Sequence, residues 1–258
     1  MLSPSFTKLT LVLFCCCAEF SVAQSANRFH EGLQLEKEFK VEAALEIYEQ
    51  VLRENPMHSQ ALVHASRMLS NIGGRMNPEW KDAKRNKFEK ARLYSLKAIQ
   101  ADPQNIHGHL AYVISLGLLS EISESPRDKI RDAKIIYEEA IFMLELDSTF
   151  AAAYFVLGKW HFELARLNWM ERMACELFFG GLPEDISMDK AIEYLKKASL
   201  LEPKTILYLF GEAWAYHYLG NSDKAISLLQ YALSLPIKEP DDIIRKEKCA
   251  ALLKEIED

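Results

Sequence analysis

The chain has 258 residues, of which 49% are hydrophobic and 26% charged, enough apolar material for a well-buried core and too little charge bias for disorder. Its 31 basic residues against 37 acidic ones leave a net charge of −6, which argues against a general nucleic-acid binder, since that function needs a basic footprint to displace counterions. With 10 Gly and 9 Pro, a fibrous repeat is excluded too.

In chain order, residues 1–23 read as a secretory leader. Lys8 is its basic residue, Leu9 to Ala18 form an apolar run, and Ser21-Val22-Ala23 offer small residues for cleavage ahead of Gln24. The run is shorter than the roughly 20 apolar residues a membrane span needs, so no stable membrane insertion is expected after cleavage. Cys15, Cys16 and Cys17 leave open a lipidated N-terminus, although Phe14 stands where that processing prefers a small residue. Beyond the leader only Cys175 and Cys249 remain, read as two buried thiols, with a single bridge as the alternative. No Asn-x-Ser/Thr acceptor occurs, which suits bacterial export, to the periplasm or the medium, better than a glycosylated secreted protein.

From residue 24 to residue 258 the hydrophobic period is helical and self-similar. Ala44, Tyr48, Val51 and Pro56 stand at offsets that recur in Ala91, Ser95, Ala98 and Pro103, and again in Ala191, Leu195, Ala198 and Pro203. Ala225, Leu229 and Ala232 give another copy without the proline, and Ala133, Tyr137 and Ala140 one that closes late at Leu146-Asp147-Ser148. Small residues let two helices approach, the larger one fills the gap, and proline stops the helix. Gly32, Leu157-Gly158 with His161, and Ala213 with Tyr216 and Gly220 supply the matching first helices. This pattern resembles the tetratricopeptide repeat. It predicts an all-α solenoid, a single domain of about five helix pairs, closed by a capping helix over Asp241 to Glu257. Insertions are expected around 73–82 and 120–127. A larger one makes a single extended helix of about residues 151–179, broken by Gly180-Gly181-Leu182-Pro183.

Gly158-Lys159-Trp160, then Trp169-Met170-Glu171-Arg172-Met173-Ala174, Leu177-Phe178 and Gly181-Leu182-Pro183, resemble the regulator of microtubule dynamics family. So does the next unit, with Ala191-Ile192-Glu193-Tyr194-Leu195 and Leu201-Glu202-Pro203. The resemblance implies a helical-repeat protein associated, in animals, with microtubules and with organelle membranes. A working leader would separate this chain from tubulin, so tubulin is a partner only if the chain stays in the cytoplasm, at the cytoskeleton. Trp169, Arg172 and Pro183 carry the resemblance most specifically and are expected to be structural, the first two sharing a helix face and holding the insertion against the following helices.

No nucleophile elbow, phosphate loop or His-Glu-x-x-His occurs, so no enzyme, no cofactor and no metal site is expected. His107 and His109 diverge on a helix and read as packing residues. Lys81, Lys84, Arg85, Lys87, Lys90 and Arg92 read as a solvated helix surface with Phe88 and Ala91 turned inward. The repeat register places Val63, Arg67 and Ser70, then Phe155, Lys159 and Phe162, then Leu207, Phe210, Trp214 and His217 on the inner face. Such an aromatic wall suits a protein or peptide partner, because aromatics bury area at little entropic cost. An apolar ligand or lipid, lidded by the extended helix, is the alternative.

Overall fold

The computed structural model describes residues 26–179 and 185–258; the leader, Gln24 and Pro183 lie outside them. The described residues form helices and no strand. The first pair is α1 (residues 26–37) with α2 (Val41–Glu54), followed by α3 (Ser59–Arg75) with α4 (Lys81–Ala101) and α5 (Ile106–Ile122) with α6 (Pro126–Leu146). Then α7 (Ala151–Ala165) pairs with α9 (Met188–Leu201) around α8 (Trp169–Phe179), α10 (Ile206–Tyr218) pairs with α11 (Ser222–Ser234), and α12 (Asp241–Glu257) closes the series.

Local chemistry sets the boundaries. Asn55, Asp102 and Glu202 end second helices by leaving the helical region of backbone space, as the ring of the following proline favours. Asp147 does the same without a proline: its Oδ1 accepts the Thr149 N–H at 2.8 Å, an Asx turn in proline's place. Asn105, Ser125, Ser187 and Asn221 accept backbone N–H groups at the starts of α5, α6, α9 and α11. Gly220 takes φ 75° in the turn between α10 and α11, and Phe39 takes φ 61° at the same position of the turn between α1 and α2.

Packing within each pair depends on the small residues. Ala44, Ala91, Ala98, Ala140, Ala191, Ala198, Ala225 and Ala232 are wholly buried. A Cβ on Gly32 would stand 2.5 Å from the Tyr48 ring, one on Gly73 2.5 Å from the Phe88 ring, and one on Gly158 2.6 Å from Leu195. First helices lie against one another, α3 with α5, α7 with α10 and α10 with α12, while α5 and α7 are joined by the Lys159–Glu121 ion pair, and together they make the inner rank. Cys249 and Leu252 of α12 close the core of α10 and α11, and both cysteines are free and buried.

The extended helix expected over 151–179 is two helices. Asn168 and Glu171 form a reciprocal capping box, Glu171 N–H to Asn168 Oδ1 at 3.0 Å and Asn168 N–H to Glu171 Oε2 at 2.8 Å, which starts α8 afresh. The Arg172 guanidinium turns back to the carbonyls of Leu164, Ala165 and Leu167, satisfying the open end of α7. Arg172 therefore braces the preceding helix, not the following ones. Trp169, expected to help hold the insertion in place, is 70% exposed. Because α8 lies against α6, in the outer rank, it does not lid the inner face.

One acid is buried at a pair interface. Glu212 of α10 accepts the Ser199 hydroxyl of α9, and burial pushes its carboxyl above the ordinary value, the hydrogen bond offsetting only part of the rise. A raised value means the folded chain holds a proton the unfolded chain has lost. Stability is thus full below the unfolded value, 4.5, and falls as pH rises through the folded one. Glu212→Gln is expected to remove that slope and to stabilise the chain more at mildly alkaline than at mildly acidic pH, measured by urea unfolding. An equal effect at both would count against it.

Candidate interaction face

The inner face is built from residues a helical turn or two apart on successive first helices. On α3 it carries Arg67, whose side chain is 41% exposed and whose Nη2 lies 3.6 Å from Glu36. That carboxylate also accepts Tyr48 Oη at 2.7 Å and pairs with His64 Nδ1 at 2.6 Å. Burial alone would raise it, but these hydrogen bonds and the His64 and Arg67 charges hold it below the ordinary range.

On α5, Ile114, Gly117 and Glu121 share one side at helical spacing. Ile114 is 38% exposed and nothing stands within 4 Å of a Cβ built on Gly117. Lys159 of α7 reaches across to Glu121 at 3.4 Å. Phe155 is half-buried, its ring 5.1 Å from that of Tyr208 and close above Gly211, where an added Cβ would stand 2.7 Å from the ring edge and displace it. On α10, Phe210, Trp214 and His217 succeed one another at four- and three-residue steps. Phe210 is half-buried and 6.3 Å from the Trp214 ring, Trp214 is 37% exposed, and His217 lies 6.1 Å from Trp214 with Nε2 3.8 Å from Glu255 of α12.

Arg67, Lys159, Phe155, Phe210, Trp214 and His217 thus retain accessible surface on the inner rank. Two expectations are corrected. Phe162 is 4% exposed, packed with Ala191, Leu195 and Ala215 beneath the Tyr218 ring, because α10 lies across the end of α7. Val63 and Ser70 are buried where α5 lies along α3. Leu207, half-buried like Phe155 and packed on the same core, keeps accessible surface as expected. The residues missed are Ile114 and Gly117: the Leu116-Gly117 pair of α5 is not the close-packed pair of α7, since a Cβ on Gly117 meets nothing within 4 Å while one on Gly158 meets Leu195 at 2.6 Å.

Other features are accounted for structurally. His109 pairs with Glu139 at 2.5 Å and the Pro103 carbonyl at 3.0 Å, and His107 lies edge-on to Phe150. In the basic α4, Phe88 and Ala91 face inward as expected, while Lys81, Lys90 and Arg92 pair with Glu124, Glu49 and Glu89. Among the described residues no cluster of His, Cys, Asp or Glu is arranged to hold a metal, and no helix is long and apolar enough to cross a membrane.

Comparison with known proteins bears on the family and the fold. A sequence model described as "Regulator of microtubule dynamics protein 1-3" matches residues 22–257. Regulator of microtubule dynamics protein 2 of Rattus norvegicus is 26% identical over 146 residues, covering 57% of this chain and 35% of that protein. Protein 1 of Bos taurus is 25% identical over 200 residues, covering 76% of this chain and 61% of that one. The chain therefore matches from about a third to three-fifths of the length of these relatives. A thermophilic TPR protein of Thermus thermophilus superposes with a TM-score of 0.65 at 20% identity, covering 89% of this chain and 99% of that one. For Pseudomonas aeruginosa pilF the TM-score is 0.54 at 12% identity, over 92% and 87% of the two chains. These two share the fold.

Proposed function

The chain belongs to the regulator of microtubule dynamics family, and from that premise we propose that it is a non-catalytic scaffold holding a protein or peptide segment against its inner face. The observation that carries this reading is the run of accessible apolar and aromatic side chains, Ile114, Phe155, Phe210 and Trp214, on three successive first helices, flanked by Lys159, Glu121 and His217. Half-exposed aromatics fixed on rigid helices offer area at little entropic cost, and charges at the margin orient what binds.

Panning a displayed peptide library on the full chain, with Trp214→Ala in parallel, tests it. Loss of one such aromatic anchor is expected to weaken selected peptides about 10-fold, about 1.4 kcal/mol, with an unchanged melting curve. Peptides indifferent to Trp214→Ala would overturn the assignment of the face, and a variant that melts early would make Trp214 a core residue.

The chain is further proposed to act outside the cytosol, starting at Gln24. The leader pattern supports this, and the family match, from residue 22, leaves out all but the last two residues of that pattern. Mass spectrometry of the N-terminus in fractionated cells checks it. An intact Met1 in the cytosol would instead favour the family's microtubule role, supported by the exposed basic residues of α4, and co-sedimentation with purified microtubules would be its test.

A further inference from the structure

Arg67, Asn71 and Arg75 recur at four-residue intervals along α3 and so make one polar stripe. Its far end is occupied by a residue 166 positions away. Arg75 donates to Asp241 Oδ1 through Nε at 3.1 Å and Nη2 at 2.5 Å, and the Asn71 amide donates to Oδ2 at 3.1 Å.

The two acids that open α12 are used differently. Asp242 is buried and builds the turn: Oδ2 accepts the backbone N–H of Lys238 and Glu239, and Oδ1 accepts Arg245 Nη1 at 3.0 Å. Asp241 is aimed at α3, with Arg245 Nη2 of its own helix 4.0 Å from Oδ2. The docking of α12 does not rest on that contact, since Cys249 and Leu252 are set in the core of α10 and α11 and Lys246 donates to the Leu233 carbonyl at 2.8 Å. The stripe stands in positive surroundings: desolvation first, then the charges of Arg67 and His64, hold the neighbouring His107 ring below its ordinary range.

We propose that Asp241 is an internal occupant of the α3 stripe, seated where a carboxylate-rich segment of a protein partner binds, and that such a segment displaces Asp241 from Arg75 and Asn71. This rests on the inner-face reading above and adds the chemistry of the partner. A part-exposed ion pair of this kind is weak enough to be exchanged for another carboxylate.

The test uses the full chain and a fluorescein-labelled peptide of alternating Glu and Gly, with binding read by anisotropy. An internal competitor reduces apparent affinity by the fraction of chains it closes, so Asp241→Ala is expected to tighten binding about 3-fold. Arg75→Gln is expected to weaken it about 10-fold, because the same side chain serves the incoming carboxylates. A structural brace predicts no such opposition: both variants would melt earlier and bind alike. Equal or weaker binding by Asp241→Ala, or no binding of the peptide by either form, overturns the proposal. Asp241→Asn, which can still hydrogen-bond α3 but carries no charge, is the second variant should the alanine form fold poorly. If library peptides depend on Trp214 yet carry no acids and ignore Asp241→Ala, the inner face stands and this inference falls. If the acidic peptide responds as expected while Trp214→Ala has no effect, the α10 assignment falls and the stripe stands.

Discussion

Tyr48→Ala is expected to destabilise the N-terminal pair by about 4 kcal/mol, the range for removing a fully buried aromatic. Tyr48 has no exposed surface, and its ring fills the notch over Gly32 while contacting Phe29 at 5.7 Å and His64 at 5.2 Å. Its hydroxyl donates to Glu36, so truncation also strips one donor from a half-buried carboxylate. Tyr48→Phe separates the two contributions: it keeps the ring and is expected to cost about 1 kcal/mol. In a repeat array such losses appear first in the unit that carries them. Hydrogen exchange should therefore show α1 to α3 opening before α9 to α11. A cost of Tyr48→Ala no larger than that of Tyr48→Phe would mean that the ring is not the packing element described.

Two glycines on first helices are expected to respond to alanine with opposite signs. In a helix interior, alanine is favoured over glycine by ~1 kcal/mol. At Gly117 nothing lies within 4 Å of the new methyl, so Gly117→Ala should realise most of that gain. At Gly158 the methyl would meet Leu195 Cγ at 2.6 Å and the Leu195 backbone nitrogen at 2.9 Å. A side chain can turn away; a backbone nitrogen moves only with its helix. Overpacking of this kind costs about 1–3 kcal/mol, and with backbone involved the upper end applies, so Gly158→Ala should lose roughly 2 kcal/mol net of the propensity gain. Thermal melts of the two variants against the parent chain decide it, and a stable Gly158→Ala would mean that α7 and α9 are not in close approach.

The same contrast explains what is legible in the sequence. Gly158 can be read because Leu157-Gly158 and Ala191 sit at fixed offsets, and a close helix approach demands small residues there. Prolines after Asn55, Asp102 and Glu202 mark helix ends for the same reason, and the capping helix runs from Asp241 to Glu257 as its pattern indicates. The break at Arg166–Asn168 is also written in the chain, as Asn168 and Glu171 at capping-box spacing, but the unbroken apolar period on either side masks it. The site is harder to read. Repeat register places a side chain on the inner rank without revealing how far the next helix covers it, so register alone assigns Phe162, Val63 and Ser70 to the face along with Phe210 and Trp214. No local pattern joins Arg75 to Asp241, since their proximity follows from the accumulated rotation of every intervening pair.

That contact changes how the whole array comes apart. A solenoid with only neighbour contacts frays from either end independently, each terminal unit melting without consulting the other. With Asp241 held by α3, the last helix and the second pair share one contact, so release of α12 removes a restraint on α3, and loosening of α3 does the same for α12. Part-exposed and open to exchange, the contact couples the two ends by no more than about 1 kcal/mol, so α3 and α12 sense one another across 166 residues of sequence while the unit that is weakened still opens first.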